Sequence, residues 1–499
     1  MAVLSGGSKQ EISTLYHLTD ALHISLSIPK LSNKYPAKQH ARNVAARLPT
    51  HDGLIYLKGM PSQLFEDSDM APKFRQRRYF QYLCGVTDIP DCLLTYRLES
   101  DELTLYIPPL NPAAVLWSGM PLGVAECLKK YDIDHCRTTA EFLDDLADYH
   151  HQCPASPIYI LNSQQPSLFR NSNEKISVAT VLPLANLDTD SLKPAMDACR
   201  VYKDDYEIAA IRQANKISAD AHAAVLATVR EGNVDNETQL EAVFLSTCIS
   251  QFAKSQAYDP IIGSGRNAAT LHYTRNNEPL KGRQLLLVDA GCEWEGYCAD
   301  VTRTFPISGT FTKEAKEIYD LVEEMQKECI ERCVYGMDFA ALHLLAHRIA
   351  VRGLLRLGIF KGSEDEIFAR GTSKAFFPHG LGHMLGLDVH DVELPIMGKS
   401  GLRTTELGVY DEIKVPLKGG ARIMAPRLLE EGMVVTVEPG IYFCEWIITP
   451  YLKDPVHGQF IDKKVLDRYW DVGGVRIEDD ILILGKGRGY ENLTTAVRC

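Results

Sequence analysis

At 499 residues the chain is too long for one hydrophobic core, so two domains are expected. Its 45% hydrophobic and 24% charged residues are ordinary for a globular protein. A formal charge of −12 with no basic block to offset it excludes a nucleic-acid surface, which needs clustered Lys and Arg to displace counterions.

The opening MAVLSGGSKQEIS has no apolar run behind a basic start, so no signal peptide is expected. No stretch reaches the roughly 18 apolar residues of a membrane span, so no membrane partner is expected. Thirteen scattered cysteines without a CxxC pair read as reduced thiols of a cytoplasmic protein. A helix is expected over Lys34–Leu48 and a short buried strand over Gly53–Gly59. The basic RQRR (Arg75–Arg78) reads as a solvated helix face. Asp91–Pro109 reads as a hairpin turning near Ser100–Asp101, because β-rich runs flank a polar centre. Thr139–His150 is helical, Ser156–Leu161 a strand and Asn162–Ser177 a loop. Residues 1–190 thus form a smaller α/β domain. Beyond Ser191–Lys203 the pattern changes: Lys203–Gly232 carries its apolar residues on one face, a long amphipathic helix opening a second domain over 195–499. Further helices are expected at Glu237–Phe252, Lys313–Cys333 and Phe339–Leu357.

The strands among these helices carry acids. In Gln284–Ile307, LLLVDA and ADVTRTF flank the turn GCEWEG. A turn centred between Trp294 and Glu295 sets Asp289 opposite Asp300, with Cβ atoms about 5 Å apart. Like charges so placed repel, and a cation is the economical compensation. Glu438 ends the β run of MVVTVEPGIYF, and Glu478 lies inside VGGVRIEDDILIL with Arg476 two residues before it on the same face. Buried acids are rare unless paired. Four of them sharing a site would carry −4, which two divalent cations would roughly neutralise.

HGLGHMLGLDVHD (His379–Asp391) has to be read against that need. A phosphate-binding GxGxxG begun at Gly380 would require glycine at 385, where Leu385 stands, and no strand leads in. One histidine on a carboxylate-held metal, with two more facing substrate, fits better. Mostly oxygen ligation with one imidazole suits Mn²⁺, Co²⁺, Mg²⁺ or Zn²⁺.

The ordered set Asp289, Asp300, His383, Glu438 and Glu478, in the contexts VDAG, ADVTRTF, HGLGHMLGLDVHD, TVEPG and VRIEDD, resembles the pita-bread metallopeptidases. It is most similar to the branch holding prolidase and aminopeptidase P. The resemblance covers Lys203 to about Leu493, and more loosely the first domain through RQRRYFQYLCGV. It implies a C-terminal pita-bread domain and a dinuclear site, usually Mn²⁺. Asp289 would hold one metal, His383 and Glu438 the other, with Asp300 and Glu478 bridging. It implies Glu438 as proton shuttle, His272 and His390 against the scissile peptide and proline, and His379 lining the pocket. Arg476 would orient the ligands, and Tyr258 is a further pocket candidate. Substrates would be short proline-containing peptides, and the family's habit implies a homodimer.

Prolidases carry an arginine fourteen residues before the second-half glutamate. Here that position is Met424, flanked by Arg422 and Arg427. The leading expectation is therefore an Xaa-Pro aminopeptidase that can include dipeptides among its substrates. The alternatives are a strict Xaa-Pro dipeptidase and, in another class, a metal-free binding module of the same fold.

Overall fold

The computed structural model describes residues 34–161, 186–392 and 428–494. The loop expected at Asn162–Ser177 and the Arg422–Met424–Arg427 stretch lie outside the described residues.

The N-terminal part begins with α1 (Ala37–Ala45), β1 (Leu54–Lys58), α2 (Arg78–Cys84), β2 (Leu93–Arg97) and β3 (Glu102–Ile107). After β4 (His135–Thr138) come α3 (Phe142–Gln152), β5 (Ile158–Tyr159) and β6 (Leu187–Asp188). The strands form one mixed sheet in the order β4-β3-β2-β1-β5-β6. The β2–β3 hairpin turns at Ser100–Asp101 as its sequence predicts, with Asp101 at φ 54°, a left-handed conformation that Asp tolerates.

α4 (Leu192–Arg200) leads into α5 (Asp205–Glu231). A capping box between Asp204 and Glu207 starts α5, and Gly232 at φ 72° ends it. α6 (Glu237–Ser250), β7 (Ser255–Gln256), β8 (Ile261–Ser264), β9 (Leu285–Asp289), β10 (Cys292–Trp294), β11 (Tyr297–Cys298) and β12 (Thr302–Pro306) follow. Then come α7 (Lys313–Ile330), α8 (Phe339–Arg356), β13 (Val434–Val437), β14 (Gly440–Tyr442), β15 (Gly474–Arg476), β16 (Asp479–Ile483) and β17 (Tyr490–Asn492). Strand β9 is buried on both faces: Leu286 and Val288 pack into the core shared with α5 and α6, and Leu285 into that shared with α7 and α8. A both-sides-buried strand reads as an unbroken apolar run, as LLLV does.

One register differs from expectation. Asp289 pairs with Thr302, not with Asp300. The reason is the turn: Glu295 and Gly296 both have positive φ, 51° and 86°, so the two-residue loop closes on the Trp294–Tyr297 pair. The ladder is thereby shifted by two residues. An even shift keeps side chains on their face, so Asp289 and Asp300 become diagonal neighbours on one side. The directly opposed acids are the glutamates. Val437 pairs with Asp479 and Gly440 with Arg476, so the same register carried across the break sets Glu438 against Glu478. Glu478 lies not inside a strand but at the joint of β15 and β16, as Glu438 lies at that of β13 and β14. Pro439, which has no N–H to give the ladder, interrupts the run.

RQRR is not a solvated helix face. Arg78 opens α2 while only 8% exposed, and its guanidinium pairs with Glu293 at the tip of the β10–β11 hairpin. That pairing, with Gln81 Nε2 donating to the Glu295 carbonyl at 3.2 Å, fastens the N-terminal sheet domain to the acid-bearing hairpin.

Candidate active site

Three elements converge on one buried pocket: the β9–β12 hairpin, the β13–β16 ladder, and the irregular stretch His379–Asp391. That stretch runs beside β13, with Leu385 N donating to Val434 O at 3.0 Å, Thr436 N to His383 O at 2.9 Å and Glu438 N to Leu381 O at 2.8 Å. Its glycines allow this approach. A Cβ on Gly382 would lie 1.9 Å from the Thr436 carbonyl oxygen.

Asp300, His383 and Glu478 offer ligand atoms all within 4.8 Å of one another, and all three are buried. His383 Nε2 lies 3.4 Å from Asp300 Oδ2 and 3.6 Å from Glu438 Oε1. Its Nδ1 faces the Met384 carbonyl at 3.0 Å, to which it donates, leaving Nε2 directed at the acids as the nitrogen that ligates once its proton is lost. That is the arrangement a metal-ligating histidine adopts. Asp289 sits between Tyr258 and Arg476: the Tyr258 hydroxyl donates to Oδ1 at 2.6 Å, and Arg476 Nη2 pairs with Oδ2. Thr302 links Arg476 to Glu478, since Nε donates to its Oγ1 at 3.1 Å and that hydroxyl donates to Glu478 Oε2 at 2.6 Å.

Arg476 is 4% exposed, so it is no surface ion pair. Its Nη1 donates to the Tyr442 hydroxyl at 2.9 Å, which in turn donates to His379 Nε2 at 2.9 Å. Burial, then Arg476, pushes His379 down to about 3, so the ring is neutral and its Nδ1–H goes to the Gly380 carbonyl at 2.8 Å. His390 stacks edge-on against His383 with centroids 4.4 Å apart. Burial and the neighbouring His383 lower its pKa. His272 is exposed in the turn after a short 3₁₀ segment and lies near both His379 and His390.

The electrostatics ask for a cation. Four carboxylates face one guanidinium, a formal balance of −3. Burial drives Glu438 up to about 8 and Glu478 well above the carboxylate range, the latter aided by Asp300 and Glu438. Asp289 rises through burial even though Arg476 opposes the shift. Burial disfavours a charged His383, yet Asp300 and Glu438 more than offset this and carry it to about 9. A set of hard oxygens with one neutral imidazole fits divalent cations such as Mn²⁺, Co²⁺, Mg²⁺ or Zn²⁺. A second histidine–acid group, His40 with Asp204 and Glu207, is of another kind. Its ring nitrogens face the Tyr82 carbonyl and Asp204 Oδ2, each at 2.9 Å. Nδ1 also lies 3.0 Å from the Tyr35 hydroxyl, and burial opposes a charge on the ring while Asp204 and Glu207 raise its pKa, so the group joins α1 to the start of α5.

Sequence reading did not find Thr302, Tyr442 or Asp480. Asp480 Oδ2 accepts from the Asp300 amide at 3.0 Å and from Asn215 Nδ2 at 2.7 Å, fixing the backbone of Asp300 from behind. Thr302 had one signal: it lies two residues after Asp300, on the same face of the returning strand.

The pattern of metallopeptidase family M24 matches residues 209–484, and that of the aminopeptidase P N-terminal domain matches 37–159. The chain is 48% identical over 493 residues to a probable Xaa-Pro aminopeptidase of Pyrenophora teres f. teres, covering 95% of this chain but only 51% of that protein. It therefore spans about half that relative's length. To the probable Xaa-Pro aminopeptidase of Colletotrichum graminicola it is 46% identical, over 94% of this chain and 91% of the other. Among solved structures, the low-pH form of Escherichia coli aminopeptidase P superposes with a TM-score of 0.72 at 28% identity, covering 93% of this chain and 96% of that one. Proline aminopeptidase P II from Yersinia pestis gives 0.70 at 29%, with the same coverage.

Proposed function

The chain belongs to metallopeptidase family M24, and from that premise we propose that it is an Xaa-Pro aminopeptidase, a hydrolase that removes the residue ahead of proline from short peptides. The observation that carries this reading is the buried cluster of Asp300, His383 and Glu478, with Glu438 3.6 Å from His383 and Asp289 paired with Arg476, an excess of acids over cations. These five would hold two divalent cations, with Mn²⁺ as the metal. When bound, such a pair supplies Lewis acidity to the scissile carbonyl and an activated water at neutral pH.

The chain's own residues do the rest. Arg476 holds Asp289 directly and Glu478 through Thr302, and so fixes the spacing of the two halves of the site. Glu438 would accept the proton of the attacking water and pass it to the proline nitrogen as the C–N bond breaks. His390 and His272 would contact the scissile peptide and the proline, and neutral His379 would line the pocket beside Tyr442. A tertiary amide offers no N–H for strand-like binding, so a peptidase that accepts proline needs such a dedicated pocket. The N-terminal domain, fastened to the metal hairpin through Arg78, would limit access to chain ends. The proposal includes a homodimer, supported by exposed Leu116, Trp117 and Met120 on the N-terminal domain. It also includes a cytoplasmic setting, supported by the many buried free thiols. No helix among the described residues is long and apolar enough to cross a membrane.

The test is hydrolysis of Xaa-Pro-Xaa, Xaa-Pro and Xaa-Ala peptides by the Mn²⁺-loaded chain, with metal content measured alongside. Tripeptides with proline second should be the best substrates. Preference for Xaa-Ala would defeat the proline claim, and turnover of dipeptides alone would make the protein a dipeptidase.

A further inference from the structure

Beside the pocket lies a block of buried charge that the peptidase mechanism does not use. Asp391, the last residue of HGLGHMLGLDVHD, has a side chain only 1% exposed. It accepts from Arg200 Nη2 at 2.6 Å and from Lys203 Nζ at 3.0 Å, both cations being equally buried. The same Arg200 Nη2 reaches Asp388 Oδ2 at 2.9 Å, and Arg78 Nε lies 3.4 Å from Asp388 Oδ1 while its guanidinium pairs with Glu293. Four cations thus face three carboxylates, the fourth being the exposed Arg75, whose Nη2 lies 3.4 Å from Glu293 Oε2 and 3.9 Å from Asp388 Oδ1. Gly386 belongs to the arrangement: a Cβ there would lie 2.2 Å from Asp391 Oδ2 and 3.0 Å from Lys203 Cε. Backbone bonds close the loop, from Asp391 N to Met384 O at 3.0 Å and from Gly386 N to Asp388 O at 3.1 Å.

His390 sits between the two anchored aspartates. Among the described residues its side chain makes no hydrogen bond, and its ring meets only His383. A ring free to bind substrate has to be aimed by its backbone, and here that backbone is pinned by ion pairs on both sides, fully buried at Asp391 and half-exposed at Asp388. We propose that Arg200, Lys203 and Arg78, acting on Asp391 and Asp388, are the positioning residues for His390. Through Arg78 the N-terminal domain then contributes to catalysis as well as to access. The inference rests on the peptidase reading, in which His390 faces the substrate.

Breaking a buried pair leaves an uncompensated charge, so the loop must shift to relieve it. A displacement of about 1 Å at a substrate-positioning group costs on the order of 100-fold in rate. The experiment is a double-mutant cycle on the full Mn²⁺-loaded chain with an Xaa-Pro-Xaa tripeptide: Arg200→Met, Asp388→Asn and each combined with His390→Ala. Arg200→Met should lower kcat/KM about 100-fold in the parent, mostly in kcat, and change it less than about threefold once His390 is alanine. Arg200→Lys should recover part of the loss. Equal losses in both backgrounds, or none in the parent, would overturn the proposal. Hydrogen exchange gives an arm independent of turnover: amides of Gly386–Asp391 should exchange faster in Arg200→Met and Asp388→Asn, while those of Leu285–Asp289 stay protected. Unchanged exchange in the loop would sink the inference even if the parent proved inert on peptides, an outcome that counts against the peptidase reading instead. Asp388 is half-exposed, so Asp388→Asn carries the test if Arg200→Met does not fold.

Discussion

At the scale of the residue, the site turns on Arg476. Its three nitrogens serve three acceptors, Asp289, Thr302 and Tyr442, in three directions from one plane. An ammonium is a point charge on a flexible stem and cannot satisfy that fork. Arg476→Lys is therefore expected to lower kcat/KM by about 10- to 100-fold, the usual cost of losing a group that orients metal ligands. Circular dichroism should remain that of the parent, and a loss below about threefold would remove Arg476 from this role. The neutral charge state of His379 has the same origin, since a buried imidazole beside a guanidinium resists protonation.

At the scale of the element, the site depends on how closely one irregular segment can lie against a strand. Gly382 faces the Thr436 carbonyl with no room for a methyl group. Gly382→Ala should push the His383 segment off β13 and cost about 1–3 kcal/mol, as overpacking does. Urea denaturation would show it as a lower midpoint, with bound metal per chain falling in parallel. An unchanged midpoint with full metal content would mean that the segment has slack its backbone bonds do not suggest. The strand runs β13–β14 and β15–β16 are interrupted at Glu438 and Glu478.

At the scale of the molecule, the buried charges couple metal, protons and stability. In the metal-free site His383 is protonated below about 9 and Glu438 below about 8, and both must lose that proton to ligate. Mn²⁺ affinity should therefore rise with pH between about 6 and 9 with net proton release. Calorimetry in buffers of different ionisation enthalpy would measure it, and binding without proton release would refute the charge assignment. The stability signs agree. The raised His383 pKa stabilises the metal-free fold below about pH 6.5, and that contribution is lost as pH rises through 9. The raised Glu438 pKa disfavours the fold increasingly from about pH 4.5 to 8, because the unfolded carboxyl ionises first. The melting temperature of the metal-free protein should fall as pH rises across this range, and cation binding should flatten the profile.

The sequence by itself determined the strand LLLVD, the amphipathic α5, the six-stranded domain's hairpin and the five chemically apt residues in their order. Those follow from local periodicity and from acids standing in apolar runs, which composition alone makes conspicuous. It left open which acids oppose each other. A register is set by the turn that closes it: Glu295 at positive φ set Asp289 opposite Thr302, and the separate β13–β16 pairing set Glu438 against Glu478. Nor could RQRR be read locally, because a basic run on a helix looks the same whether water or a buried carboxylate lies opposite. Only the tertiary structure decided that Arg78 and Arg200 meet Asp388 and Asp391, residues about 190 or more positions away, and that HGLGHMLGLDVHD is held at its far end by charge. Chain-distant partners leave no mark on one another's local pattern; the cost of burying them unpaired is what brings them together.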